Sequence, residues 1–123
     1  MVTGQMPTRP LVPPGALAAV ADTRQPIAQV TEMVVERTPT GAILRATGLA
    51  PTQGWYNAQL VPVAAESGVL AFEFRVEPPP GYEAEGSPGS RTITVARVLD
   101  ATDLAGIRSI RVIGLQNARE ARR

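Results

Sequence analysis

The sequence predicts an all-β fold, a small antiparallel β-sandwich of about six strands behind a disordered Pro-rich N-terminal segment. Three observations predict it. Beyond residue 26 the chain runs in short stretches of β-branched and apolar residues, broken roughly every 8 to 14 residues by Gly, Pro or Asn. One stretch, residues 69–77, alternates with the two-residue period of a half-buried strand, Leu70, Phe72, Phe74 and Val76 against Glu73, Arg75 and Glu77. No stretch of useful length carries the helical period, so there is no crossover helix for a parallel sheet. With 123 residues, 44% of them apolar, the chain holds one modest core and one domain.

Residues 1–26 form the lead-in. Pro7, Pro10, Pro13, Pro14 and Pro26 each lack a backbone N–H, so neither a helix nor a central strand runs through them. A single helical turn over residues 16–22 is the most this segment makes. Ala19-Val20-Ala21 mimics a small-residue cleavage site, but Pro13-Pro14-Gly15 interrupts the apolar run before it. No run reaches the length a membrane-spanning helix needs.

The domain proper covers residues 27–118. The first strand, residues 28–37, places Val30, Glu32, Val34 and Glu36 on one face and Met33 and Val35 on the other, and ends at Pro39-Thr40-Gly41. Strands follow at residues 42–47, 55–63 and 69–77. Pro78-Pro79-Pro80-Gly81 stops the last of these and opens a long Gly-, Pro- and Glu-rich loop to Ser90. The fifth strand is residues 91–99. A turn or single helical turn over 100–106, capped by Asp100 or Thr102, leads to the sixth strand, residues 109–115, with Ile110 and Val112 inward. Residues 119–123 remain as a basic tail.

The chain has no Cys, His or Lys, and all twelve basic residues are Arg. Disulfides, thiol nucleophiles, zinc hydrolysis, Ser-His-Asp catalysis, Schiff bases and the P-loop lysine are thereby excluded. The residues predict no enzyme, no cofactor and no metal site. Glu83 with Glu85, and Asp100 with Asp103, each lie within one loop rather than across a cleft. The net charge of +1 is unevenly spread: residues 27–106 carry five Arg against nine acids, and residues 107–123 carry five Arg against Glu120. This basic end has two readings, a solvated tail and a contact for a polyanion or anionic membrane. Nucleic acid is not expected as a partner, because aromatics are 4% of the chain and the basic footprint is thin. Arg91, Arg97, Arg108 and Arg111 are expected to pair with Glu73 or Glu77 across strands.

The segment from Leu104-Ala105-Gly106 through Ile107-Arg108-Ser109-Ile110-Arg111-Val112-Ile113-Gly114-Leu115-Gln116-Asn117-Ala118 resembles the penultimate strand of immunoglobulin-like or fibronectin type III-like domains. The Pro-rich lead-in is similar to that of small bacterial envelope lipoproteins, whose mature chain begins with a tether behind a lipid-modified cysteine, a residue this chain lacks. The first resemblance implies an immunoglobulin-like sandwich. The second implies residence in the bacterial cell envelope or periplasm, with a membrane tether at the N-terminus.

Trp55, Tyr82 and Arg91 are the candidate binding residues, because aromatics beside Arg are enriched at contact surfaces. In this reading Trp55, Asn57 and Gln59 face outward and Tyr56, Ala58 and Leu60 face inward, and the long loop folds to the same end of the sandwich. The competing reading makes Trp55 a core plug. The expected function is a non-enzymatic binding or structural module of the envelope with a protein partner. The alternative is an immunoglobulin-like accessory domain of a larger soluble assembly, a phage-like particle or secretion machine, with a cytoplasmic location.

Overall fold

The computed structural model describes residues 23–123. The lead-in as far as residue 22, with its helical turn and its cleavage-site mimic, lies outside the described residues. The elements are β1 (Gln25–Pro26), β2 (Gln29–Thr38), β3 (Gly41–Leu49), β4 (Tyr56–Val63), β5 (Val69–Glu77), a 3-10 turn (Pro88–Arg91), β6 (Thr92–Asp100), α1 (Ala101–Leu104), β7 (Ser109–Ile113) and β8 (Ala118–Arg122). The fold is all-β, in two sheets. One is β2-β3-β6, antiparallel throughout. The other is β4-β5-β7-β8, with β1 beside β5 at Gln25↔Val76 and Pro26↔Arg75, past the stretch that β7 covers.

The two sheets bury one core between them. Phe72 and Phe74 of β5 lie against Leu44, Leu99, Ile110 and Val112, each 1% exposed or less. The sequence expectation for residues 69–77 is met at Phe72, Phe74 and Val76, which are buried while Glu73, Arg75 and Glu77 are not; Leu70 is only half-buried, and Val69 and Ala71 of the other parity are buried. Ile110 and Val112 also point inward, as expected. The capping expectation at the helical turn is met in full. The Asp100 carboxylate accepts the Asp103 N–H at 2.8 Å, and the Asp103 carboxylate accepts the Asp100 N–H at 3.0 Å. This reciprocal cap holds Leu104 at 2% exposure under one end of the core.

The strands and their pairing differ from expectation in three places, each with a physical reason. There are eight strands among the described residues, two more than the six read from the sequence. β1 was hidden because Pro26 reads as a breaker, yet it sits at a sheet position where its missing N–H is tolerated, and Ile27 donates to the Phe74 carbonyl at 2.7 Å. β8 was hidden because Arg119, Glu120 and Arg122 read as a solvated tail, whereas charged residues on an edge strand are the usual guard against unwanted pairing.

The second difference is the pairing of β5 with β7, which is parallel. A helix is not needed for this crossover, since β6 in the facing sheet carries the chain back. Third, a bulge between Val30 and Glu32 leaves Thr31 outside the backbone register with β3, its hydroxyl donating to the Thr47 carbonyl at 3.1 Å, and shifts the parity of β2. Val30 is therefore buried and Met33 and Val35 pack on the core, while Val34 is 45% exposed.

The open edges of the two sheets are joined by side chains. Asn117 accepts the Val30 N–H at 2.8 Å and donates to the Val30 carbonyl at 2.8 Å, and Arg119 Nε donates to the same carbonyl at 3.1 Å. These bonds staple β2 to the start of β8. On the other side, Arg97 of β6 donates to the Leu60 carbonyl of β4 at 3.0 Å, with its guanidinium 5.2 Å from the centre of the Phe72 ring.

Candidate functional site

At the end of the sandwich toward which β3, β5 and β7 run, residues 50–55 meet the long loop 78–91. Gln53 N–H donates to the Ala84 carbonyl at 3.0 Å, and Ala50 N–H to the Arg91 carbonyl at 2.9 Å. Gly86 is needed for this approach. Its φ is +69°, and a Cβ there would lie 1.9 Å from Gln53 Nε2. The long loop thus folds to the end expected of it.

The three candidate residues take different parts in this loop pair. Trp55 is half-buried against the core, and its indole N–H donates to the Thr52 hydroxyl at 2.9 Å. Arg91 has a side chain only 14% exposed, donating to the Ala50 carbonyl at 3.0 Å and lying 3.4 Å from Glu85. Tyr82 is 95% exposed. The expected orientation at the start of β4 is reversed: Trp55 turns inward, and Tyr56 is 49% exposed with its hydroxyl donating to Glu77 at 2.9 Å. The cause is a bulge between Tyr56 and Gln59, with Asn57 at φ +55° donating to Glu77 at 3.1 Å. Asn57 and Gln59 stay outward, and Ala58 and Leu60 inward, as expected. These two donors hold the Glu77 carboxyl below its usual range, while the Glu77 carboxylate pushes the Tyr56 hydroxyl up.

The arginines on and beside the last strands do not pair with Glu73 or Glu77. Glu73 pairs with Arg75 on its own strand. Arg111 lies between two other carboxylates, Glu66 at 2.8 Å and Glu120 at 2.8 Å. Its guanidinium holds Glu66 down to about 2 and lowers Glu120, which also accepts from the Ser109 hydroxyl at 2.9 Å.

At the opposite end of the sandwich a cleft of about 520 Å³ opens between β2 and the end of β8. Val35, Ala42, Leu104 and Ile107 give it an apolar lining. Arg37, Arg108, Arg122 and Arg123 supply its charge, and no Asp or Glu lines it. Each arginine is set by a local feature of the fold. Arg37 precedes the hairpin whose Gly41 is so close to β6 that a Cβ would lie 1.9 Å from the Leu99 carbonyl oxygen. Arg108 is held by its own N–H to the Gly68 carbonyl at 2.8 Å, and its guanidinium crosses Gly68, where a Cβ would meet Nη1 at 2.0 Å. Arg123 N–H donates to the Arg108 carbonyl at 3.0 Å, which carries β8 along the cleft.

Most of the described arginines spend their guanidinium on a neighbour, a carboxylate or a carbonyl. Arg37, Arg108 and Arg122 make no side-chain hydrogen bond or ion pair among the described residues, and all three line this cleft. Glu66 lies near enough to Arg108 to interact with it electrostatically, but no carboxylate lines the cleft itself, so an anion there would meet three guanidiniums whose hydrogen-bond donors are free to receive it.

No family model, curated protein or solved structure matches the chain. The cleft's own chemistry therefore carries its reading. Guanidiniums, the Thr38 hydroxyl and an apolar lining are groups that hold an anion with some hydrocarbon attached. Sequence reading assigned Arg108 to a cross-strand pair and Arg122 and Arg123 to a tail. The available signal was the excess of positive charge over residues 107–123, which the fold turns into one wall of a cleft.

Proposed function

We propose that this chain is a non-enzymatic binding module of the bacterial cell envelope, and that it holds an anionic partner in the arginine cleft. The observation that carries this reading is that Arg37, Arg108 and Arg122, whose side chains make no hydrogen bond or ion pair among the described residues, converge on a cleft with no acid in its lining. Bidentate recognition of carboxylate or phosphate is the use to which such an array is suited.

The similarity of the lead-in to envelope lipoproteins supports the location. The geometry is compatible with a tether, since Gln25 pairs with Val76 near one end of β5, while the cleft lies by Arg108, beside Val69 at the other. Seven strand residues separate the two levels, roughly 23 Å at about 3.3 Å per residue. A domain anchored at Gln25 would present the cleft away from its anchor. The immunoglobulin-like resemblance draws support from the β2-β3-β6 sheet, built from the first, second and fifth long strands as in the A-B-E set of that fold.

Fractionation of native cells tests the location. The protein is expected in the envelope fraction, and recovery from the cytosol alone would overturn that placement. The double variant Arg37→Glu/Arg122→Glu is expected to stay folded and to lose its partner from that fraction.

A further inference from the structure

The cleft lies between two edge strands. β2 pairs on one side with β3, and β8 pairs on one side with β7. Their facing sides come together only at the Val30 end, where Asn117 and Arg119 make the bond. From Val35 to Thr38 no backbone hydrogen bond joins β2 to β8 among the described residues, and the cleft occupies the gap. An edge strand presents a row of N–H and C=O groups along its open side, which another strand can pair with.

Resting on the anion-binding reading above, we propose that the occupant is an acidic peptide in extended conformation, added as a strand alongside β2 or β8 in this gap. Such a peptide answers every feature of the cleft. Its backbone pairs with an edge, as in β-strand addition. Its side chains supply both kinds of group the lining calls for, apolar ones for Val35, Leu104 and Ile107 and carboxylates for Arg37, Arg108 and Arg122. A polyphosphate satisfies the arginines but neither the edges nor the apolar lining, and a lipid headgroup leaves the edges unpaired.

The test uses the full chain and an alternating Glu-Val peptide of about ten residues, long enough to form one strand. Affinity is read by calorimetry and backbone protection by hydrogen exchange. The peptide is expected to bind, to slow exchange in residues 35–38 or 118–122, and to weaken at least about tenfold in Arg37→Glu/Arg122→Glu. Arg45→Glu, an exposed charge reversal outside the cleft lining, is expected to bind as the unaltered chain does. Peptide binding without new protection in either strand overturns the strand-addition mode. If the peptide fails while inorganic polyphosphate or phosphatidylglycerol vesicles bind and depend on the same arginines, the acidic-peptide inference falls and the anion-binding reading stands. If none of these anions binds, both fall.

Discussion

Single residues decide the core and the loop end. Phe74 is fully buried on the central strand β5, so Phe74→Ala is expected to cost about 3–5 kcal/mol in chemical denaturation. Glu73→Ala, which breaks a pair with Arg75 whose side chains are about a quarter exposed, is expected to cost about 1 kcal/mol or less. The contrast was legible in the sequence because strict alternation over residues 72–77 leaves one register possible. Trp55 was not, because a strand's parity is known only where its bulges are known, and Asn57 resets it. The inward placement predicts blue-shifted tryptophan emission that acrylamide quenches weakly. A red-shifted, readily quenched emission would return Trp55 to the surface.

Between elements, the seam from β2 to β8 rests on one side chain more than any other. Asn117→Ala removes both bonds to the Val30 backbone and leaves its buried N–H short of an acceptor, so a loss of about 2–3 kcal/mol is expected. Asn117→Asp keeps the acceptor and loses the donor, and is expected to fall between the two. A second link ties the Glu66 loop, β7 and β8 through Arg111. Glu66, Glu120 and Glu77 all have carboxyls held below their unfolded values, Glu66 down to about 2. Their contribution to stability is present above about pH 4.5, the unfolded range, and is lost as pH falls through the folded values. Melting temperature should drop over that acid window, and Glu66→Gln should make the drop shallower. An unchanged acid profile in Glu66→Gln would show that the Arg111 link does not contribute.

β8 shows why part of this scale was closed to sequence reading. An edge strand with charges on it has the composition of a tail, and only its pairing with β7, from Ser109↔Arg122 to Ile113↔Ala118, distinguishes the two. The hairpin from β2 to β3 was plain, by contrast, because Pro39-Thr40-Gly41 supplies turn residues between two alternating runs.

Over the whole molecule, the first described pairing is at Gln25, and a chain beginning at Thr23 keeps every described core contact. Removing residues 1–22 is expected to shift the melting temperature by no more than a few degrees, measured by calorimetry. A loss above about 2 kcal/mol would mean that the lead-in docks on the core. The arginine cleft belongs to this scale too. Arg37, Arg108 and Arg122 are far apart in sequence and meet only because β2 and β8 flank one end of the sandwich. No local pattern contains them, so the sequence revealed a basic C-terminal end without the wall that faces it. The most direct measurement is a calorimetric titration with polyglutamate of the unaltered chain, Arg37→Glu/Arg122→Glu and Arg45→Glu, at low and high salt. Salt-sensitive binding that the cleft variant loses and Arg45→Glu keeps is the predicted result. Equal binding by all three proteins, or none by the unaltered chain, would contradict the assignment of the cleft as the binding site.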